Sequence, residues 1–232
     1  MSEIQKREFQ TRGQLDSTLA QDVSKLLIEA IATRGKATLV VSGGTTPLGF
    51  FDLLSRQVLA WERVLVTLAD DRWLSEHHQD SNARLVKERL LVNQAAHASF
   101  LSLKTEDLDP DDAIEGLQNS FAEIGEIDVL ILGMGADGHT ASLFPNTPSL
   151  QEGLNIKSKQ SFIGVMPLVA PHQRISMTLA RLLNSRKVIV HITGVEKRAV
   201  FETACGEFSP RKMPISALIY EAINPIALYW AE

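Results

Sequence analysis

One cysteine, Cys205, is all the chain holds in 232 residues. A lone thiol excludes an intrachain disulfide framework and suits a reducing compartment; its plain reading is a small buried or helix-borne hydrophobe. There is no excess of positive charge. The net charge is −5 and the pI about 5.7, and no basic stripe appears, which argues against a nucleic-acid surface. An anionic ligand therefore has to be met by local charge. No apolar run reaches the roughly 18 residues of a membrane span. The first residues, MSEIQKREFQ, carry charge where a signal peptide needs an apolar stretch. The expectation is a cytoplasmic protein without a membrane partner. Internal repeats, low-complexity tracts and linkers are absent too. With 44% hydrophobic residues, residues 1–232 are expected to build one domain around a sizeable core.

What the chain does have is alternation. Short runs rich in Val, Ile and Leu recur at 37–42, 64–69, 127–133, 187–192 and 226–230, apolar on both parities. Strands covered on both faces read this way. Weaker strand candidates lie at 98–103, 161–165 and 174–179. Between them the spacing predicts helices: one over 15–33, stopped by Gly35; one from Asp80 or Ser81 through Asn93; one starting at Asp109-Pro110; and a final one over 195–204. This order predicts an α/β fold, with a mainly parallel sheet and helices on both faces. The stretch 145–160 reads as the loosest loop, free to move.

Ser42-Gly43-Gly44-Thr45-Thr46-Pro47 joins the first of these strands to a helix. Pro47 fits the first helical position and Thr46 its cap. A turn needs fewer glycines and hydroxyls than this. Glycines before a helix let backbone N–H groups crowd an anion, and Ser42, Thr45 and Thr46 add hydroxyl donors. The reading is an anion site. A nucleotide P-loop is a poor match, since no Gly-Lys-Ser/Thr follows.

A second glycine motif, GMGADGH (133–139), follows the strand at 127–133. Its G-x-G-x-x-G spacing alone suggests a dinucleotide, but Pro145 arrives quickly and no acidic strand end follows at the required distance. Asp137 and His139 are the better clue, because open α/β sheets place ligands at the carboxyl ends of strands. A histidine there can serve as a general base with a carboxylate orienting its ring. Asp70-Asp71-Arg72 also follows a strand, and two adjacent acids beside an arginine can divide into orienting and ion-pairing roles. Arg174 and Lys197 matter if they meet the Ser42–Pro47 loop in space. His77, His78, His97, His172 and His191 have no spacing that suggests a metal.

Taken together, SGGTTP (42–47), LADDRW (68–73), DSN (80–82), LGMGADGHTASLFP (132–145), PHQRISMT (171–178) and TGVEK (193–197) resemble the 6-phosphogluconolactonase family. That family is a branch of the glucosamine-6-phosphate isomerase/deaminase superfamily. The resemblance implies a modified Rossmann-like fold and hydrolysis of 6-phospho-D-glucono-1,5-lactone to 6-phosphogluconate in the pentose phosphate pathway, without a required cofactor or metal. The implied partner is a small phosphosugar lactone. By matching position, Ser42, Gly43, Gly44 and Thr45 resemble the phosphate loop, and Arg174 and Lys197 resemble cationic ligands of phosphate or substrate. His139 resembles the base, and Asp70 and Arg72 the pocket's acid and substrate-binding arginine. Either Asp137 or Asp70 orients the imidazole or the water, and either an arginine or N–H groups of Gly133–Gly138 serve the oxyanion. The chain departs from the family's usual pattern at Asp71 (often Glu), at Val169-Ala170-Pro171 (often Lys-Pro-Pro) and at Ala83 (often Tyr).

Three rivals are weighed against this. A deaminase/isomerase shares the phosphate loop and the Asp-Gly-His block but tends to carry a glutamate soon after the histidine, and Ala141–Asn146 offers none. A non-catalytic sugar-phosphate sensor would be free to lose His139 and Asp70. A nicotinamide oxidoreductase fails on spacing.

Overall fold

The computed structural model describes residues 1–232. In chain order the elements are β1 (Ile4–Phe9), α1 (Arg12–Arg34), β2 (Ala37–Val41), α2 (Leu48–Leu54), β3 (Val64–Leu68), β4 (Asp70–Arg72), α3 (Asn82–Arg89), β5 (Ser99–Leu101) and α4 (Ile114–Ser120). There follow β6 (Ile127–Leu132), α5 (Leu150–Gly153), β7 (Phe162–Val165), β8 (Arg174–Met177), α6 (Leu179–Leu183), β9 (Ser185–Thr193), α7 (Val195–Gly206), α8 (Ile215–Glu221) and β10 (Ile226–Ala231).

Seven strands form one sheet in the order β1-β10-β9-β6-β2-β3-β5, and every neighbouring pair is parallel. Each residue of β2, β6 and β10 is buried. Successive side chains point to opposite faces, so both faces of these strands are covered. That is why their sequences are apolar on both parities. Helices flank the sheet, and a continuous cluster of 59 buried residues fills the space between the layers. α1 shows how local sequence sets an element. Thr11 accepts from Gln14 N–H, Leu15, Leu19, Val23 and Leu27 lie buried at four-residue intervals, and Gly35 ends the helix at φ 77° with its N–H on Ile31 O. None of the helices is long and apolar enough to cross a membrane.

A second, three-stranded antiparallel sheet, β4-β8-β7, packs beside the first. The sequence pattern predicts strands near β7 and β8 but ends the strand at 64–69, before Asp70-Asp71-Arg72. Pairing with β8 makes it a strand, a tertiary effect that outweighs the poor strand propensity of two aspartates.

Several boundaries also differ. α2 takes Pro47 as its cap residue without any side-chain cap, so Thr46 does not cap it. α3 is capped by Ser81 as expected but stops at Arg89, short of Asn93. Asp109 Oδ1 accepts from Asp111 N–H in a local turn, which delays the next helix to Ile114. The helix from Val195 is not the last, since α8 follows it. The stretch at 145–160 contains α5.

Candidate active site

The chain moves outward from β2 through β3 to β5, then returns to β6 on the other side of β2. The strand order thus reverses between β2 and β6, and open α/β sheets bind their ligands at such a crevice. Both glycine motifs leave from these two strands. Val41 is paired with Ile131, and Ser42 N–H continues the ladder to Ile131 O at 3.1 Å. The next strand, β9, ends at Thr193 and leads through the cap residue Gly194 to Lys197 in the first turn of α7.

A cleft of about 350 Å³ opens here. Of the residues singled out from sequence, Ser42, Gly43, Gly44, Thr45, Thr46, Asp70, Arg72, His139, Arg174 and Lys197 all line it. Asp137 stands behind His139. Gly43 has a steric reason: a Cβ there would sit 1.9 Å from Asn82 Oδ1. Only glycine lets the loop approach Asn82, whose amide is held by Asp70 O at 2.9 Å.

His139 Nδ1 lies 2.5 Å from Asp137 Oδ1, and Asp137 also accepts the His139 backbone N–H. Gly135 makes this possible, because a Cβ at that position would fall 2.2 Å from the imidazole. Burial works against ionisation of Asp137, but the hydrogen bonds and charge of His139 outweigh it and hold the carboxyl below its usual range. An ionised Asp137 only accepts, so Nδ1 carries the proton, and in the neutral ring Nε2 is the nitrogen with the lone pair. Phe144 packs on the ring with centroids 4.3 Å apart.

The adjacent acids divide differently from expectation. Asp70 faces the cleft and accepts from Ser142 Oγ at 2.5 Å. Asp71 is fully buried and turned away: it accepts from Ser81 Oγ and from the N–H groups of Arg72, Asn82 and Ala83, capping α3. Burial pushes its carboxyl up to about 6 against those hydrogen bonds, with Asp70 adding to the rise. Of the two candidate acids, Asp137 touches the imidazole.

The cations are arranged around these groups. Arg72 and Arg174 stand directly opposite each other on β4 and β8. Burial, and then the Arg72 charge, lower the pKa of Arg174, with Asp70, Asp71 and Asp80 opposing. Burial and Arg12 likewise lower that of Lys197, with Asp137 opposing. Four buried side-chain polar atoms in the protein lack a hydrogen-bond partner: Ser42 Oγ, Arg174 Nε, His191 Nε2 and Arg181 Nε. The first three belong to residues lining this cleft. Unsatisfied buried groups are rare and costly, and their concentration in one place marks a site prepared for a polar ligand.

The family model for glucosamine-6-phosphate isomerases/6-phosphogluconolactonase matches residues 10–229. The chain belongs to this family. It is 41% identical over 224 residues to a 6-phosphogluconolactonase of Mesorhizobium japonicum, covering 96% of this chain and 93% of that one. A Pseudomonas putida 6-phosphogluconolactonase is 39% identical over 216 residues, covering 93% and 88%. A crystal structure of a 6-phosphogluconolactonase from Shewanella baltica superposes with a TM-score of 0.96 at 37% identity, covering 99% of this chain and 98% of that one.

Within this family member, sequence reasoning passed over two cleft residues. Asn82, beside the Ser42–Pro47 loop, belongs to the DSN block but carries no role in the sequence reading, where it is an ordinary residue after a cap. His191 was set aside for want of a metal partner, although its place near the carboxyl end of β9 is itself a signal. Its ring is buried, and burial, then Arg12 and Lys197, push it down to about 3, so it is neutral. Asp16 of α1 lies 3.7 Å from its Nε2. Burial pushes the Asp16 carboxyl up to about 6, with Arg12 opposing and Asp52 adding.

Because that value lies above the ordinary 3.8, the folded state holds its proton longer, and stability falls as pH rises between about 4 and 6. Asp16→Asn removes this penalty. The variant should be more stable than the parent by about 1–2 kcal/mol above pH 6, after allowing for solvent screening. The gain should vanish below about pH 4, as read from thermal melts across that range. A gain independent of pH would refute the assignment.

Proposed function

We propose that the chain hydrolyses 6-phospho-D-glucono-1,5-lactone to 6-phospho-D-gluconate, the lactone step of the oxidative pentose phosphate pathway. Its relatives bear that name at 39–41% identity. The observation that carries the mechanism is the oriented His139–Asp137 pair opening into the same cleft as the Ser42–Thr46 loop and Lys197.

The loop N–H groups and hydroxyls, with Lys197, hold the phosphate and fix the sugar against His139. His139 Nε2 takes a proton from water as its oxygen attacks the C1 carbonyl, and Asp137 stabilises the imidazolium. The C1–ring oxygen bond then breaks. The ring oxygen leaves with the proton from His139, and the new acid ionises. For the oxyanion, Gly135 and Gly138 are poor donors: their N–H groups already bond His139 O and Gly135 O, at 2.9 and 3.0 Å. The guanidinium groups of Arg72 and Arg174 take that role. Asp70, fixed by Ser142, orients substrate hydroxyls. The single free thiol supports a cytoplasmic setting.

The deaminase/isomerase reading is tested by supplying glucosamine 6-phosphate and the fresh lactone in parallel. Acid release from the lactone above the spontaneous rate, without ammonia release from the amino sugar, is expected. The reverse pattern would overturn the lactonase reading.

A further inference from the structure

Arg72 and Arg174 pose an electrostatic problem. They stand directly opposite on antiparallel strands, where like charges repel, and no carboxylate oxygen lies within 4 Å of either guanidinium. Each is held by a backbone carbonyl from a different loop. Arg72 Nη1 donates to Asp80 O, and Arg174 Nη2 donates to Pro171 O at 3.2 Å. What fixes one carbonyl relative to the other fixes the spacing of the two cations.

One hydrogen bond joins the side chains of these loops. His172, next to Pro171, places Nε2 3.3 Å from Asp80 Oδ2. A carboxylate only accepts, so the ring presents Nε2–H to it. His78 supports the arrangement from the other side. Its Nδ1 accepts the Asp80 backbone N–H at 3.1 Å, and its ring meets His172 edge-on at 5.7 Å. His172 reaches this position with φ at 71°, in the left-handed region. A non-glycine residue is held there only where its surroundings over-determine it, and such sites cluster where geometry serves function.

We propose that Asp80 and His172 form a clasp that positions Arg72 and Arg174 for the developing oxyanion. Neither residue touches substrate; they act through the carbonyls of Asp80 and Pro171. The inference rests on the lactonase reading, in which those arginines serve the transition state. Asp80 and His172 side chains are 43% and 30% exposed. An ion pair this open is worth a factor of about five at most, and the expected effect is scaled to that.

His172→Gly is the discriminating variant, because glycine accepts φ 71° without strain while removing the imidazole. It should lower kcat about threefold to fivefold, leave KM nearly unchanged, and keep or raise the melting temperature. His172→Gln, whose amide can reach the place of Nε2, should restore most of the turnover. A lower melting temperature with kcat intact would show a structural contact only. An active parent whose kcat is unmoved in His172→Gly would overturn the clasp alone. A parent with no rate above background would overturn the clasp together with the lactonase reading.

Discussion

His139→Ala lowers kcat by about 10²- to 10⁴-fold, the range typical of one general base, while KM stays within about threefold. The fold should tolerate the change. The imidazole is 29% exposed and packs chiefly on the Phe144 face, so truncation leaves no sealed cavity. Asp137→Asn should also lower kcat, because the amide can donate to Nδ1 and leave the proton, not the lone pair, on Nε2. Steady-state kinetics of the three proteins on fresh lactone decide this. Full turnover by His139→Ala would remove the base assignment, and a large rise in KM at constant kcat would make His139 a binding residue instead.

The second large effect is on binding. Lys197→Ala is expected to raise KM about ten- to hundredfold with kcat within a few fold, the loss of a charge-assisted contact to phosphate. Burial and the neighbouring Arg12 both work against the ammonium, whereas a dianionic phosphate would favour it. Inhibition by inorganic phosphate should weaken in parallel with the rise in KM. If KM and phosphate inhibition both stay at parental values, Lys197 does not hold the phosphate.

Much of this was readable from the chain because two physical patterns are local. Fully covered strands are apolar on both parities, which exposed β2, β3, β6, β9 and β10. Glycines at a strand end signal close backbone approach, which picked out Gly43 and Gly135 before their neighbours Asn82 and His139 were seen beside them. What the sequence hid was mainly tertiary. β1 reads IQKREF with four exposed residues in its middle; an edge strand carries no apolar run to betray it. β4 is a strand only because β8 lies against it. Asp71 looked like a partner for Arg72 and is instead a buried cap of α3. The identity of the acid behind His139 needed the 2.5 Å contact to Asp137, because Asp70 also follows a strand and has the same chemistry.

The most direct measurement follows acid release at constant pH from freshly made 6-phospho-D-glucono-1,5-lactone, with the parent chain against the spontaneous background. A rate proportional to protein concentration and saturating in lactone is predicted. A rate equal to background at every protein concentration would contradict lactone hydrolysis as the work of this cleft.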